Sequence, residues 1–144
     1  MKIDTVSLRI PSDEKCFQEF YQQLSHLIDA LQLPEPEKFR LALCVSEAFT
    51  NAYLHGNKRD PSKMISLKIA PEADSVRIDV EDEGDGGIGL QDFEAASPSV
   101  GTEKTSGRGL GIMRRYADKI KVKRYKGGGL RVSIFWDLNR SHGK

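Results

Sequence analysis

Hydrophobic and polar positions divide the chain into segments of distinct period. Val6, Leu8 and Ile10 alternate with polar residues as a strand does, Pro11 stops the run, and Ser12 or Asp13 offers an N-cap for a helix. Phe17, Phe20, Leu24, Leu27 and Leu31 then recur at steps of three and four, the mark of a helix with one apolar stripe. Pro34-Glu35-Pro36-Glu37 closes that helix and opens a second, with prolines and carboxylates where a helix N-terminus tolerates them. Its core-facing stripe is expected to be Phe39, Ala42, Val45, Phe49 and Ala52. Leu41, Leu43, Cys44 and Ala48 make the rest of this helix apolar too, so it should be buried on several sides, with Gly56 as its C-terminal stop. Two strands come next, with Ile65, Leu67, Ile69 and Val76, Ile78, Val80 facing inward and Asp74-Ser75 as the turn. From Glu81 to Ser106 no period survives, which in a compact domain marks a functional or mobile loop. Leu110, Met113 and Ala117 mark a short helix and Ile120 with Val122 a strand. Glycines 127 to 129 then turn into a last strand carrying Leu130, Val132, Ile134 and Trp136, before a polar tail from Asn139 to Lys144. Strands joined as hairpins, with helices gathered elsewhere, predict an α+β fold: a two-layer sandwich whose mixed, mostly antiparallel sheet carries its helices on one face.

Composition narrows this reading. A chain of 144 residues suits one domain, 1–144, closing one core. With 22 basic and 21 acidic residues the net charge is +1, so no global field favours nucleic acid or an anionic membrane, and any anion site must be local. Lys2 and Asp4 interrupt the N-terminus where a signal peptide needs an apolar stretch, and no apolar run approaches the roughly 20 residues that span a bilayer. A cytoplasmic protein is expected. Cys16 and Cys44, each within a helical pattern, read as small apolar side chains in a reducing compartment. His26, His55 and His142 are scattered and read as structural or exposed, His55 being the one placed for a pocket edge.

Three places carry candidate chemistry. Asp82 continues the parity of Val76, Ile78 and Val80, so its carboxylate faces the core if the strand runs on by one step, and is a turn residue if it does not. Gly84-Asp85-Gly86-Gly87-Ile88-Gly89 has the spacing of a dinucleotide-binding turn, but no amphipathic helix starts behind it and Glu81, Asp82, Glu83 and Asp85 would repel phosphates. A calcium loop counted from Asp79 fails because Leu90 stands where the closing glutamate belongs. Eight of the 13 glycines fall between Gly84 and Gly111, as backbone that bends sharply or approaches a ligand requires. Gly107-Arg108-Gly109 leads into a helix whose first N–H groups suit phosphate oxygens, with Lys104 and Arg108 as nearby cations, although no Walker A pattern is present. Glu47 and Asn51, four apart on the most apolar helix, point the same way; they either pair with each other or line a cavity. Asparagine offers an oxygen to Mg²⁺ without adding charge, and glutamate can take a proton from an attacking hydroxyl.

Together SEAFTNAYLHGN (46–57), DEGDG (82–86) and SGRGLGIM (106–113) resemble, in order and spacing, the N, G1 and G2 boxes of the GHKL or Bergerat-fold ATPases and kinases. Within that superfamily the compact size and Glu47 are similar to the anti-sigma-factor serine/threonine kinases of bacterial partner-switching systems. The resemblance implies ATP and Mg²⁺ as cofactors. Asp82 would accept a hydrogen bond from the adenine amino group, with Gly84 and Gly86 letting the loop pass close to the base. Asn51 would ligate Mg²⁺ and Glu47 would orient or deprotonate the nucleophile. Gly107, Arg108, Gly109 and Leu110, with Lys104, would hold the phosphates, and residues 87–106 would form a lid. The implied partners are a STAS-type antagonist that is phosphorylated, a sigma factor or equivalent regulator, and a second copy of the chain. The alternative is a regulatory module that binds ATP and a partner without transferring phosphate. Two positions depart from the family's pattern: Leu130 stands where many relatives carry Thr, and Thr105 where some carry Arg.

Overall fold

A computed structural model describes residues 5–84, 113, 115–125 and 128–139. The elements run β1 (Val6–Pro11), α1 (Cys16–Ala30), α2 (Glu35–Asn51), a π-helical turn (Ala52–Gly56), β2 (Met64–Glu72), β3 (Ser75–Glu81), β4 (Lys119–Arg124) and β5 (Leu130–Asp137). They build the α+β fold expected. Among the described residues the strands form one sheet in the order β1-β2-β3-β5-β4, and all four pairings are antiparallel. The pairing of β3 with β5 joins strands far apart in sequence, setting Val80 opposite Val132 and Ile78 opposite Ile134.

Strand parity is as the alternation predicts. Ile65, Leu67, Ile69, Val76, Ile78, Val80, Val132, Ile134 and Trp136 turn to one face and meet Phe20, Leu24, Ile28, Leu41, Val45 and Phe49 from the two helices in a single core. Phe20 stacks on Phe49 with ring centroids 4.0 Å apart, and Phe17 meets Phe49 edge-on at 5.2 Å. Aromatic pairs of this kind add about 0.5–1.5 kcal/mol beyond the area they bury. Met113 is also buried, and the Ala117 N–H donates to its carbonyl at 2.9 Å, a helical turn at the expected place.

Local expectations needed correction at four points. Phe39 is 68% exposed instead of core-facing. The buried face of α2 runs through Glu37, Leu41, Cys44, Val45, Ala48 and Phe49, rotated from the stripe traced through Phe39 and Ala42. Glu37 explains the rotation: its Oε1 accepts a hydrogen bond from Trp136 Nε1 at 3.2 Å and its Oε2 one from Arg40 Nη1 at 3.4 Å, which anchors a carboxylate inside the fold. Ser12 does not cap α1; it is fully buried and its Oγ accepts from Asn57 Nδ2 at 2.7 Å, while Asp13 Oδ1 takes the Lys15 N–H. The β2–β3 turn is Ala73–Asp74, because Ser75 already pairs with Glu72. Gly56, finally, is not a left-handed stop, since helical winding runs through it and Lys58 and Arg59 take the positive φ values, 52° and 62°.

Candidate functional site

Helix α2 brings Glu47 and Asn51 to its C-terminal end, both half-buried. The Asn51 Nδ2 atom is buried and has no hydrogen-bond partner among the described residues. An amide so placed costs free energy unless something supplies the missing partner, and a half-turn of the amide presents oxygen in place of nitrogen. Glu47 makes its presence felt at Cys44, whose thiol is pushed up to about 12, first by burial and then by the Glu47 charge. A thiol so far from ionisation is inert, in keeping with the reading of Cys44 as an apolar filler.

Beyond Asn51 the helix widens. The Asn57 N–H reaches back five residues to the Ala52 carbonyl at 2.8 Å and the Arg59 N–H six residues to Tyr53 at 2.8 Å. One residue more per turn re-aims the end of the helix, and π-turns of this kind gather at functional sites. Here the extra residue lays Gly56 on Asp82. A side chain at Gly56 would overlap the Asp82 carboxylate, and one at Gly84 would overlap the Gly56 carbonyl, so both positions must be bare.

Asp82 is only 4% exposed. β3 ends at Glu81, but its pairing with β5 carries one step further: the Asp82 N–H donates to the Leu130 carbonyl at 3.0 Å, and Oδ1 accepts from the Leu130 N–H at 3.2 Å and from the Gly84 N–H at 3.1 Å. Oδ2 accepts no hydrogen bond among the described residues. Burial raises this carboxyl to about 6, outweighing the two N–H bonds and the Arg124 charge that favour its ionised form, with Glu81 adding to the rise. Gly129 closes the corner at φ 98°, donating its N–H to the Gly84 carbonyl.

Asn57 was not singled out by any spacing in the sequence, yet it ties the corner together. It is 1% exposed; Nδ2 donates to Ser12 Oγ at 2.7 Å and to the Met64 carbonyl at 3.0 Å, while Oδ1 accepts the Glu83 N–H at 2.8 Å. Glu83 continues the lattice, taking the Met64 N–H at 2.5 Å and Arg9 Nη2 at 3.1 Å. In the sequence it stands only as the last residue of the SEAFTNAYLHGN stretch, with no role of its own.

The structure therefore gathers Asp82 and Gly84 against Gly56, at the end of the helical run that bears Glu47 and Asn51. Gly86, Lys104, Gly107, Arg108, Gly109, Leu110 and the expected lid at 87–106 lie outside the described residues. His55 is half-buried beside Gly56 in sequence, and His26 is exposed. No helix among the described residues is long and apolar enough to cross a membrane.

A two-layer sandwich in which a helix end, a buried strand-end carboxylate and bare glycine backbone converge has the ATPase fold of the GHKL type. Residues 10–136 match the family model described as histidine kinase-like ATPase domain, and the chain belongs to that family. Membership carries ATP as the ligand of the class. Among curated proteins it is 35% identical over 99 residues to an anti-sigma F factor of Clostridium perfringens, covering 66% of this chain and 69% of the relative. It is 37% identical over 83 residues to one of Geobacillus stearothermophilus, 55% of each chain, and 29% identical over 126 residues to one of Anoxybacillus flavithermus, 85% of this chain and 80% of that protein.

Proposed function

We propose that this chain is a Mg-ATP-dependent protein serine/threonine kinase of a bacterial partner-switching system, which phosphorylates a STAS-type antagonist and holds a sigma factor or equivalent regulator. The observation that carries the reading is the Asp82 corner: a buried carboxylate with Oδ1 clamped by two backbone N–H groups and Oδ2 left to accept, set against glycine backbone. That chemistry suits the amino edge of adenine, which has an N–H to give and a flat face that bare backbone can approach. Its neighbours along the helical run fit the other end of a nucleotide. Asn51, whose amide nitrogen lacks a partner among the described residues, is suited to offer its oxygen to Mg²⁺, which would bind through one or two protein oxygens plus phosphates. Mg²⁺ in such a site neutralises charge on the phosphate oxygens.

Glu47 is assigned to orient and deprotonate the nucleophile, the substrate hydroxyl. Its carboxylate takes the proton of the substrate hydroxyl as that oxygen bonds the γ-phosphorus and the bond to the ADP oxygen breaks. Positioning and charge neutralisation supply most of the acceleration in such transfers. Phosphate binding by Gly107, Arg108, Gly109, Leu110 and Lys104, and the approach of Gly86 to the base, belong to the same reading, as does pairing with a second copy of the chain. The anti-sigma F factor names of the relatives support the choice of partners.

Incubation with γ-labelled ATP, Mg²⁺ and a STAS-type antagonist tests the assignment. Label should pass to a serine or threonine of the antagonist with the wild type, and fall by at least about a hundredfold in Glu47→Ala, the scale of a lost general base. Undiminished antagonist binding with no label from the wild type would sink the kinase reading. It would favour a module in which ATP regulates partner binding without chemistry, a role toward which the departures at Leu130 and Thr105 lean slightly.

A further inference from the structure

The β4 edge meets the site above only at its end, where the Arg124 charge acts on Asp82. In the strand order β1-β2-β3-β5-β4 it pairs with β5 alone, so among the described residues every second N–H and C=O of Lys119–Arg124 points away from the sheet. Lys119, Lys121 and Lys123 alternate along this strand, all exposed, and share the sheet's outer face with Phe135, Ser133 and Arg131 opposite them. Their ammonium groups rest over aromatic rings: Lys119 and Lys121 lie 5.8 and 5.7 Å from the centre of Phe135, and Lys123 5.1 Å from that of Tyr125. None of the three has an ion pair among the described residues. Of the acids on that face, Asp79 pairs with Arg77 at 3.4 Å and Glu81 with Arg131 at 3.0 Å, while Asp137, beyond Phe135 on β5, accepts the Asn139 N–H. On the opposite face Ile120 and Val122 are only half-buried, although their partners Ile134 and Val132 are buried.

Exposed lysines on an edge strand are a common guard against strand addition. A guard does not need Ile120 and Val122 left half-covered on the other face. We propose that the β4 edge receives an extended acidic strand of a partner protein, its carboxylates opposite Lys119, Lys121 and Lys123 and its alternate apolar residues beside Ile120 and Val122. Backbone hydrogen bonds to the free edge supply affinity, and the two side-chain rows read the acidic-apolar alternation. A second copy of this chain is the wrong occupant, because pairing β4 with β4 sets lysine against lysine. A nucleic acid is disfavoured too, since bases bind such faces by stacking on open rings and cations already cover Phe135 and Tyr125.

The probe is a synthetic peptide alternating glutamate and valine, matched in length to β4, titrated into the isotope-labelled full chain at low salt. The backbone amides of Lys119–Arg124 should shift. The alternating peptide should bind about tenfold more tightly than the same residues arranged in blocks, the span of good against poor charge complementarity. A variant carrying Lys119→Glu, Lys121→Glu and Lys123→Glu should lose that preference and acquire affinity for a lysine-valine peptide, a gain that an unfolded variant cannot show. Equal binding of the block peptide, shifts confined to β1, or tighter binding of an oligothymidylate would overturn the proposal.

Discussion

Asp82 holds its buried position at a cost to the fold. Its carboxyl sits at about 6 in the fold against 3.8 for an unperturbed aspartate, because burial penalises the charge more than two N–H groups and Arg124 favour it. Between those two values the folded state binds more protons than the unfolded one, so this group makes the ligand-free protein less stable as pH rises through that window and adds no slope outside it. Asp82→Asn should therefore raise stability near neutral pH, by on the order of 1–2 kcal/mol after allowing for solvent near the carboxylate. Oδ1 of the asparagine keeps both backbone N–H bonds. The same variant should lose nucleotide affinity, since its amide offers a donor where an acceptor is needed. Urea melts of the two proteins from about pH 4 to about pH 7 measure the first effect; a difference between them that does not change with pH over that window would refute the account.

At the level of the helical run Glu35–Gly56, sequence period foretold the element but not its phase or its ending. The stripe traced from Phe39 is apolar in sequence, yet Glu37 buries its carboxylate through Trp136 and Arg40 and turns Phe39 outward. No period reveals that a glutamate will find an indole 99 residues away. The π-turn is equally unreadable, because its reason lies in the Asp82–Gly84 corner it must meet. Asn57 holds that junction from behind. Asn57→Ala would leave the Glu83 N–H without its acceptor and Ser12 without its donor, costing about 2–3 kcal/mol. It should also weaken nucleotide binding, although its bonds run to Ser12, Met64 and Glu83 and not to Asp82. Calorimetry on the variant, at a temperature where it remains folded, checks this; unchanged affinity would reduce Asn57 to a stabilising residue.

Across the full sandwich the two faces divide the work. The helix-side core and the β3–β5 junction create the Asp82 corner, while the outer face carries the lysines of β4 on a chain whose net charge is only +1. Balanced composition thus conceals a local cationic edge. If the corner binds nucleotide as proposed, Mg-ATP at about a hundredfold excess over its dissociation constant should stabilise the protein by about 2.7 kcal/mol. A melting scan with Mg-ATP and with ADP measures this, and no shift with either would contradict the nucleotide reading independently of any kinase assay.

The order of elements, the parity of the strands and the identity of Asp82, Glu47 and Asn51 as candidates were all legible from the chain, because periodicity is local and an odd carboxylate within an apolar pattern stands out. Whether Asp82 was a core-side acceptor or a turn residue was not: that depended on Leu130, 48 positions away, donating its N–H. Gly56 looked like a helix stop until the fold set it on a carboxylate, and Asn57 looked like nothing in particular. These are long-range contacts, whose energies depend on which surfaces meet, and only the packed sheet and helix decide that.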